Sequence, residues 1–395
     1  MGLDYPVHDP TTLRNVFCGL INMTSTLIAT CLCGINAEKL QLDSQIPFSV
    51  SSCACNSCRY SSGVLYTSRI PIRQRPTAVE KLQRYDSSNK LSRYFCPVCG
   101  SHMFVHAVKD DSWSVCSGAV DHVVGLEHVS VLSLEHIMQH DFVGDTRDGG
   151  LAVCLSHFDD NTAPLFAQAP NGTTFEKSPT NDAIALEPSH PRKARLDADS
   201  IEENATAIDK ISGRCHCGGV NFRITRPGVV STHCSSPFPD LLVPYHSSSS
   251  ANPQDIKWWL RANGSKYLAG TCACRSCRLG SGYPIQSWAF IPKANILQAD
   301  GERLRYEMGT LQQVESSKDC FREFCRICGA TVFWHCRERP DLVDVSVGLL
   351  RADEGSRAES WLHWWTDRVS FKEDALDQVL VSALELGLEN IEVEE

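Results

Sequence analysis

The stretch CACNSC at residues 53–58 puts three cysteines into six positions, and CACRSC at residues 272–277 repeats it with one change, Asn56 to Arg275. Outward from each triple the same signals recur in the same order. CLCG (31–34) matches CHCG (215–218), and RYFCPVCG (93–100) matches REFCRICG (322–329). Cys31, Cys33, Cys53, Cys55, Cys58, Cys96 and Cys99 thus correspond to Cys215, Cys217, Cys272, Cys274, Cys277, Cys325 and Cys328. Arg59, Ser62 and Gly63 match Arg278, Ser281 and Gly282, while Phe104 and His106 match Phe333 and His335. This is an internal duplication, and two copies are too few for a solenoid, so each is expected to be a domain with its own core.

The boundaries follow from composition. An N-terminal extension occupies 1–23 and a first domain 24–155. A linker rich in Pro, Asn, Asp and Ser, without sustained periodicity, covers 156–208, and the second domain runs over 209–395. Only 19 residues separate Cys33 from Cys53, but 54 separate Cys217 from Cys272, so the second copy carries an insertion at about 231–262 whose aromatic and proline content suits a packed flap. Short runs of β-formers near turn residues, such as VNFRI, SWAFIP, ATVFWHC and LVDVSVGLL, predict a mainly β, largely antiparallel fold. The clearest helix signal is DALDQVLVSALELG near the C-terminus, with an acidic start and a glycine stop.

With 395 residues, 42% hydrophobic and 21% charged, the chain has the composition of a globular protein of two or three domains. A net charge of −10 argues against a bare nucleic acid as general partner, because such binding needs a basic face. The run NVFCGLINMTSTLIAT is broken by Asn and Thr and is too short to span a bilayer, which predicts a cytoplasmic protein, or a nuclear one, that is neither secreted nor membrane-bound. Twenty cysteines in a reducing compartment point to metal rather than disulfides, since C-x-C and C-x2-C pairs converge thiolates on one point.

Structural zinc takes four ligands, whereas catalytic zinc keeps three and an open position, and seven is four plus three. Spacing does not decide which four cysteines group, but a C-x-C-x2-C triple can wrap one metal by itself. The early C-x-C and late C-x2-C pairs are left as halves of a four-cysteine clamp, each followed by a glycine (Gly34, Gly100, Gly218, Gly329) suited to a tight turn. Alternatively, another side chain closes the triple, with His106 and His335 as candidates, or all seven thiolates hold one two-metal cluster. A zinc held by three thiolates is a weak Lewis acid but a good acceptor for a fourth soft ligand, so capture of a thiol fits better than activation of water.

The succession C-x-C-G, C-x-C-x2-C-R, F-C-x2-C-G resembles the glutathione-dependent formaldehyde-activating family, which includes the centromere protein V group. HDFVGDTRDGG (140–150) and the looser HWWTDRVSFKED (363–374) extend the resemblance. It implies two tandem Mss4-like β-tent zinc domains with up to two Zn2+ each. Cys31, Cys33, Cys96 and Cys99, and likewise Cys215, Cys217, Cys325 and Cys328, would then form structural clamps. Cys53, Cys55 and Cys58, and likewise Cys272, Cys274 and Cys277, would form open catalytic sites. It further implies a carbon–sulfur lyase type of reaction with glutathione as co-substrate and an aldehyde, formaldehyde by resemblance, or a thiol adduct as the other reactant. The sequence departs from the family where Ala29 and Thr30 precede Cys31 in place of the favoured glycine, which the second copy has as Gly213, and where SGAVD (117–121) becomes VGLLR (347–351).

Arg59 and Arg278, beside the triples, are candidates to orient a glutathione carboxylate; the alternative is that they balance the thiolate charge. Cys18, Cys116, Cys154, Cys234, Cys320 and Cys336 share no pattern and read as ordinary thiols, with Cys234 placed by the insertion near the second site. A competing function is a zinc-stabilised protein-interaction module without catalysis. The tandem copies are also expected to act as a pseudo-dimer.

Overall fold

The computed structural model describes residues 25–391 except 43, 45, 127–131, 159–160, 169–171, 176–209 and 248–249. The extension 1–23, Cys18 and most of the linker lie outside the described residues.

Each half is a small sheet set against a large one. In the first half the small sheet joins Ala37–Leu42, Ser25–Thr30 and Val120–Val123. The large sheet runs, edge to edge, Glu135–Asp141, Phe48–Cys53, Thr67–Ile72, Ser112–Cys116, His102–Ala107, Leu91–Phe95 and Gln83–Asp86. All neighbours pair antiparallel except Glu135–Asp141, which lies parallel to Phe48–Cys53. The second half repeats this order through Lys266–Cys272, Gln286–Pro292, Leu342–Ser346, Thr331–Cys336, Cys320–Cys325 and Leu311–Ser317, with Leu362–Trp364 parallel to the first of them. The fold is mainly β in two tandem domains, with three helices among the described residues: α1 (Asn56–Ser62), α2 (Arg275–Ser281) and α3 (Gln378–Leu388). None is long and apolar enough to cross a membrane.

Contrary to the expectation of two separate cores, one apolar cluster runs through both halves, from Leu27, Phe104 and Val115 to Phe333, Val345 and Leu388. The contact between halves is reciprocal. Gly118 N donates to Gly282 O at 3.0 Å and its counterpart Gly348 N to Gly63 O at 3.2 Å. Gln83 Nε2 reaches Arg326 O at 2.7 Å, and Gln312 Nε2 reaches Pro97 O at 3.1 Å. A surface that meets its own counterpart in this way is isologous, the signature of a twofold axis. Glycine is required at these positions, because a Cβ on Gly118 would overlap Tyr283 backbone and one on Gly348 the Val64 carbonyl.

Two segments depart from the repeat. The insertion packs as a flap, with Trp258 and Trp259 buried and their indole nitrogens donating to Pro237 O and Ser231 O, both at 2.9 Å. Helix α3, within the stretch assigned to the second domain, lies against the first: Asp377 Oδ2 accepts from Leu134 N and Glu135 N at 2.8 and 2.9 Å, while its Oδ1 caps the helix through Leu380 N. Leu380, Leu384 and Leu388, four residues apart, form its buried stripe. Gly387, expected to stop the helix, instead lies inside it and lets it approach the Cys154 carbonyl. In the expected linker, 157–158 and 161–162 form a two-stranded ribbon, and Phe166 and Gln168 bond back to Val143 and Phe142.

Candidate metal centres and cavity

Each four-cysteine group joins two hairpin turns. Cys31 and Cys33 lie in the turn after Ser25–Thr30, and Cys96 and Cys99 in the turn between Leu91–Phe95 and His102–Ala107. The group therefore bolts the small sheet to the large one. Cys215, Cys217, Cys325 and Cys328 do the same in the second half. Gly34, Gly100, Gly218 and Gly329 all adopt left-handed φ between 74° and 78°, which turns the chain back on the sulfurs without a steric penalty. Asn36 N, Val220 N and Gly219 N donate to Cys31, Cys215 and Cys217 Sγ at 3.3–3.4 Å. Neighbouring sulfurs stand 3.4–3.7 Å apart. A tetrahedral site with Zn–S bonds of ~2.3 Å has sulfurs about 3.8 Å apart, so the donor set fits such an ion.

The triples are built by strand, turn and helix. Phe48–Cys53 ends on the first thiol, Cys55 caps α1 by accepting from Cys58 N at 3.3 Å, and Cys58 lies in the first turn. Lys266–Cys272, Cys274 and Cys277 repeat this with a 3.2 Å cap. Within each triple the sulfurs lie within 4.8 Å of one another, and each triple can hold a metal ion.

A buried arginine from the large sheet backs each triple. Arg93 Nη2 donates to Cys58 Sγ at 3.2 Å and Arg322 Nη2 to Cys277 Sγ at 3.3 Å. Hydrogen bonds from Cys53 and Cys55, then the charges of Arg93 and Arg69, hold the Cys58 thiol well below its ordinary range. Cys272 and Cys274, then Arg322, do the same to Cys277. The copies diverge in one neighbour: Trp288 Nε1 donates to Cys277 Sγ at 3.4 Å, whereas Arg69 occupies the equivalent register position in the first half.

The second triple opens into a cavity of about 890 Å³, within the ~300–1,000 Å³ typical of ligand sites. Trp288 and Arg322 lie beside the thiols, Phe238 and Tyr245 come from the insertion, and Leu32 comes from between two cysteines of the first domain's clamp. His216, between the corresponding cysteines of the second clamp, makes the reciprocal approach, bonding Ser57 Oγ at 3.1 Å and Tyr85 OH at 2.5 Å. Also on the lining, Arg339 and Asp344 form a buried bidentate pair at 2.8 and 3.0 Å.

The structure brings neither Arg59 nor Arg278 to this cavity. Both are buried. Arg278 donates to the carbonyls of Gly118 and Val120 across the domain contact, and Arg59 to Asn56 Oδ1 and Asp145 O. His106 Nε2 bonds Asp111 and His335 Nε2 bonds Glu323, at 2.6 and 2.7 Å, so neither histidine joins a triple. Cys234 packs among Trp258, Trp259 and Leu241, behind the cavity wall that Leu241 and Phe290 form, and does not line the cavity itself. Cys320 and Cys336, read as ordinary thiols, line the cavity instead.

A family model described as "Glutathione-dependent formaldehyde-activating enzyme" matches residues 26–132 and 256–368. The chain belongs to this family. The second match begins within the insertion and so leaves out Cys215 and Cys217, which the fold nevertheless brings to Cys325 and Cys328. No curated protein matches the chain.

Proposed function

We propose that the protein is a zinc-dependent enzyme of carbon–sulfur lyase type, and that the second domain carries a working site. The observation that carries this reading is the cavity of about 890 Å³ opening onto Cys272, Cys274 and Cys277. The two clamps are structural zinc sites and both triples are zinc sites, of which the second keeps the position for substrate that the cavity reaches. Zinc there would bind the sulfur of a thiol, glutathione in the family's name, and keep it deprotonated at neutral pH.

The protein's own groups supply the rest. Arg322 and Trp288 both donate to Cys277 Sγ, withdrawing charge from the thiolate set so that the ion remains an acceptor for one more sulfur. Trp288, Phe290 and Trp334 give the cavity an apolar wall. Lys318, an exposed cation on the lining, takes the carboxylate-binding role first expected of Arg278, while Arg275, also on the lining, is held by Asp121 at 2.7 Å. In the synthetic direction the thiol sulfur gives its electron pair to the aldehyde carbon, the carbonyl pair moves to oxygen, and the proton lost by the thiol ends there; the reverse breaks the carbon–sulfur bond.

The test is the visible spectrum of the cobalt-substituted protein titrated with glutathione. The thiolate and ligand-field bands are expected to change saturably in the wild type and in Cys55→Ser, and to lose that response in Cys274→Ser. Wild-type bands that do not move reject thiol capture and leave the zinc-stabilised interaction module as the better account.

A further inference from the structure

Cys320 and Cys336 face each other across adjacent antiparallel strands, in register. Arg337 N donates to Asp319 O at 3.0 Å, one step outside the pair. That bond makes Cys320 and Cys336 a non-hydrogen-bonded pair, in which opposite Cα atoms stand ~4.5 Å apart and side chains come closest. A disulfide needs Cα atoms about 4.4–6.8 Å apart.

The side chains of alternate residues share a face, so Cys320 lies on the face of Arg322, which bonds Cys277, and Cys336 on the face of Trp334. The pair is about 7 Å along the strands from that arginine, and both cysteines line the cavity. The first domain has Leu91 opposite Ala107 at the same register, so both thiols are peculiar to the second copy.

We propose that Cys320 and Cys336 are a reversible dithiol–disulfide pair on the cavity wall, oxidised by exchange with a small disulfide that enters as the thiol substrate does. Cys320 is half-buried while Cys336 is buried, its thiol pushed up by that burial, so Cys320 is the attacking group. Its thiolate bonds to one sulfur of the entering disulfide and expels a thiolate. Cys336 then attacks the Cys320 sulfur and expels the second. The two protein thiols lose two electrons and two protons, and the disulfide is reduced to two thiols. The pairing rests on the register alone; glutathione disulfide as the oxidant rests on the function proposed above.

The zinc-loaded full-length chain is treated in parallel with glutathione disulfide and with bis(2-hydroxyethyl) disulfide, then alkylated and digested for mass spectrometry. The expected result with both is one peptide pair joined through Cys320 and Cys336, close to stoichiometric, with both thiols lost to alkylation. Cys336→Ala is expected to retain a glutathionyl adduct on Cys320 instead. Crosslinking by the hydroxyethyl compound but not by glutathione disulfide upholds the pair and counts against glutathione as the cavity's thiol. If neither reagent joins the two cysteines, or if each is found linked elsewhere, the proposal is overturned.

Discussion

At the scale of single residues, Arg93 and Arg322 set the character of the two triples, each placing a buried guanidinium on the helix cysteine. Arg322→Met is expected to weaken glutathione capture by about 1.5–3 kcal/mol, the range for a hydrogen bond to a charged group. That is roughly a tenfold to hundredfold rise in the glutathione concentration that half-saturates the cobalt spectrum. Cys274→Ser is expected to lower bound zinc by one ion per chain, measured by elemental analysis of the purified protein, while leaving the far-ultraviolet dichroism unchanged. All fourteen cysteines of the sites were legible because ligand spacing is local. The arginine was not, although RYFC and REFC were plain to see. Arg59 and Arg278 follow their cysteines on a helix, where one step turns the side chain by about 100°, and that step carries Arg278 to the domain contact and Arg59 to Asn56 and Asp145 of its own domain. The residues that bond the thiolates arrive from strands 35 and 45 positions away.

At the scale of elements, α3 is the piece most exposed to pH. Burial, and then the charge of Asp377, push the Glu135 carboxyl up to about 8, and burial pushes Asp377 up to about 6. Ser68 Oγ donates to Glu135 at 2.9 Å. A carboxyl whose folded pKa lies above its unfolded value binds its proton more tightly when folded. Its stabilisation is complete below the ordinary carboxylate range and is lost as pH rises through about 8. The wild type is therefore expected to lose stability relative to Glu135→Gln as pH rises from 6 to about 8, on the order of a few kcal/mol, and to run parallel to it above that, read from the denaturant midpoints of the zinc-loaded proteins. The helix itself was legible from its acidic start and apolar spacing. Its seat was not, because the backbone amides that Asp377 accepts are those of residues 134 and 135, some 240 positions earlier.

At the scale of the whole molecule, the domain contact depends on backbone meeting backbone. Gly118→Ala or Gly348→Ala forces a methyl group into the opposing main chain. Either is expected to cost ~1–3 kcal/mol and to split one unfolding transition into two, seen by calorimetry. Gly228→Ala, where φ is extended and no atom stands within 4 Å, is expected to leave the single transition in place. The duplication was legible and so was the presence of two domains. The shared core was not, because periodicity marks which side chains are buried and is silent on whether the surface that buries them belongs to the same copy.

The reciprocal contact between unequal halves has a consequence of its own. Two identical chains meeting through this surface would show every substitution twice, once in each site, and neither site could change alone. Joined in one chain, the halves are free to differ. The second has Trp288, a flap and the Cys320–Cys336 pair where the first has Arg69, no counterpart to the flap, and Leu91 with Ala107. Yet Leu32 still lies on its neighbour's cavity and His216 still bonds its neighbour's Ser57. Each copy thus has beside its triple a residue it cannot edit from within, and a change between the cysteines of one clamp is felt at the other copy's triple.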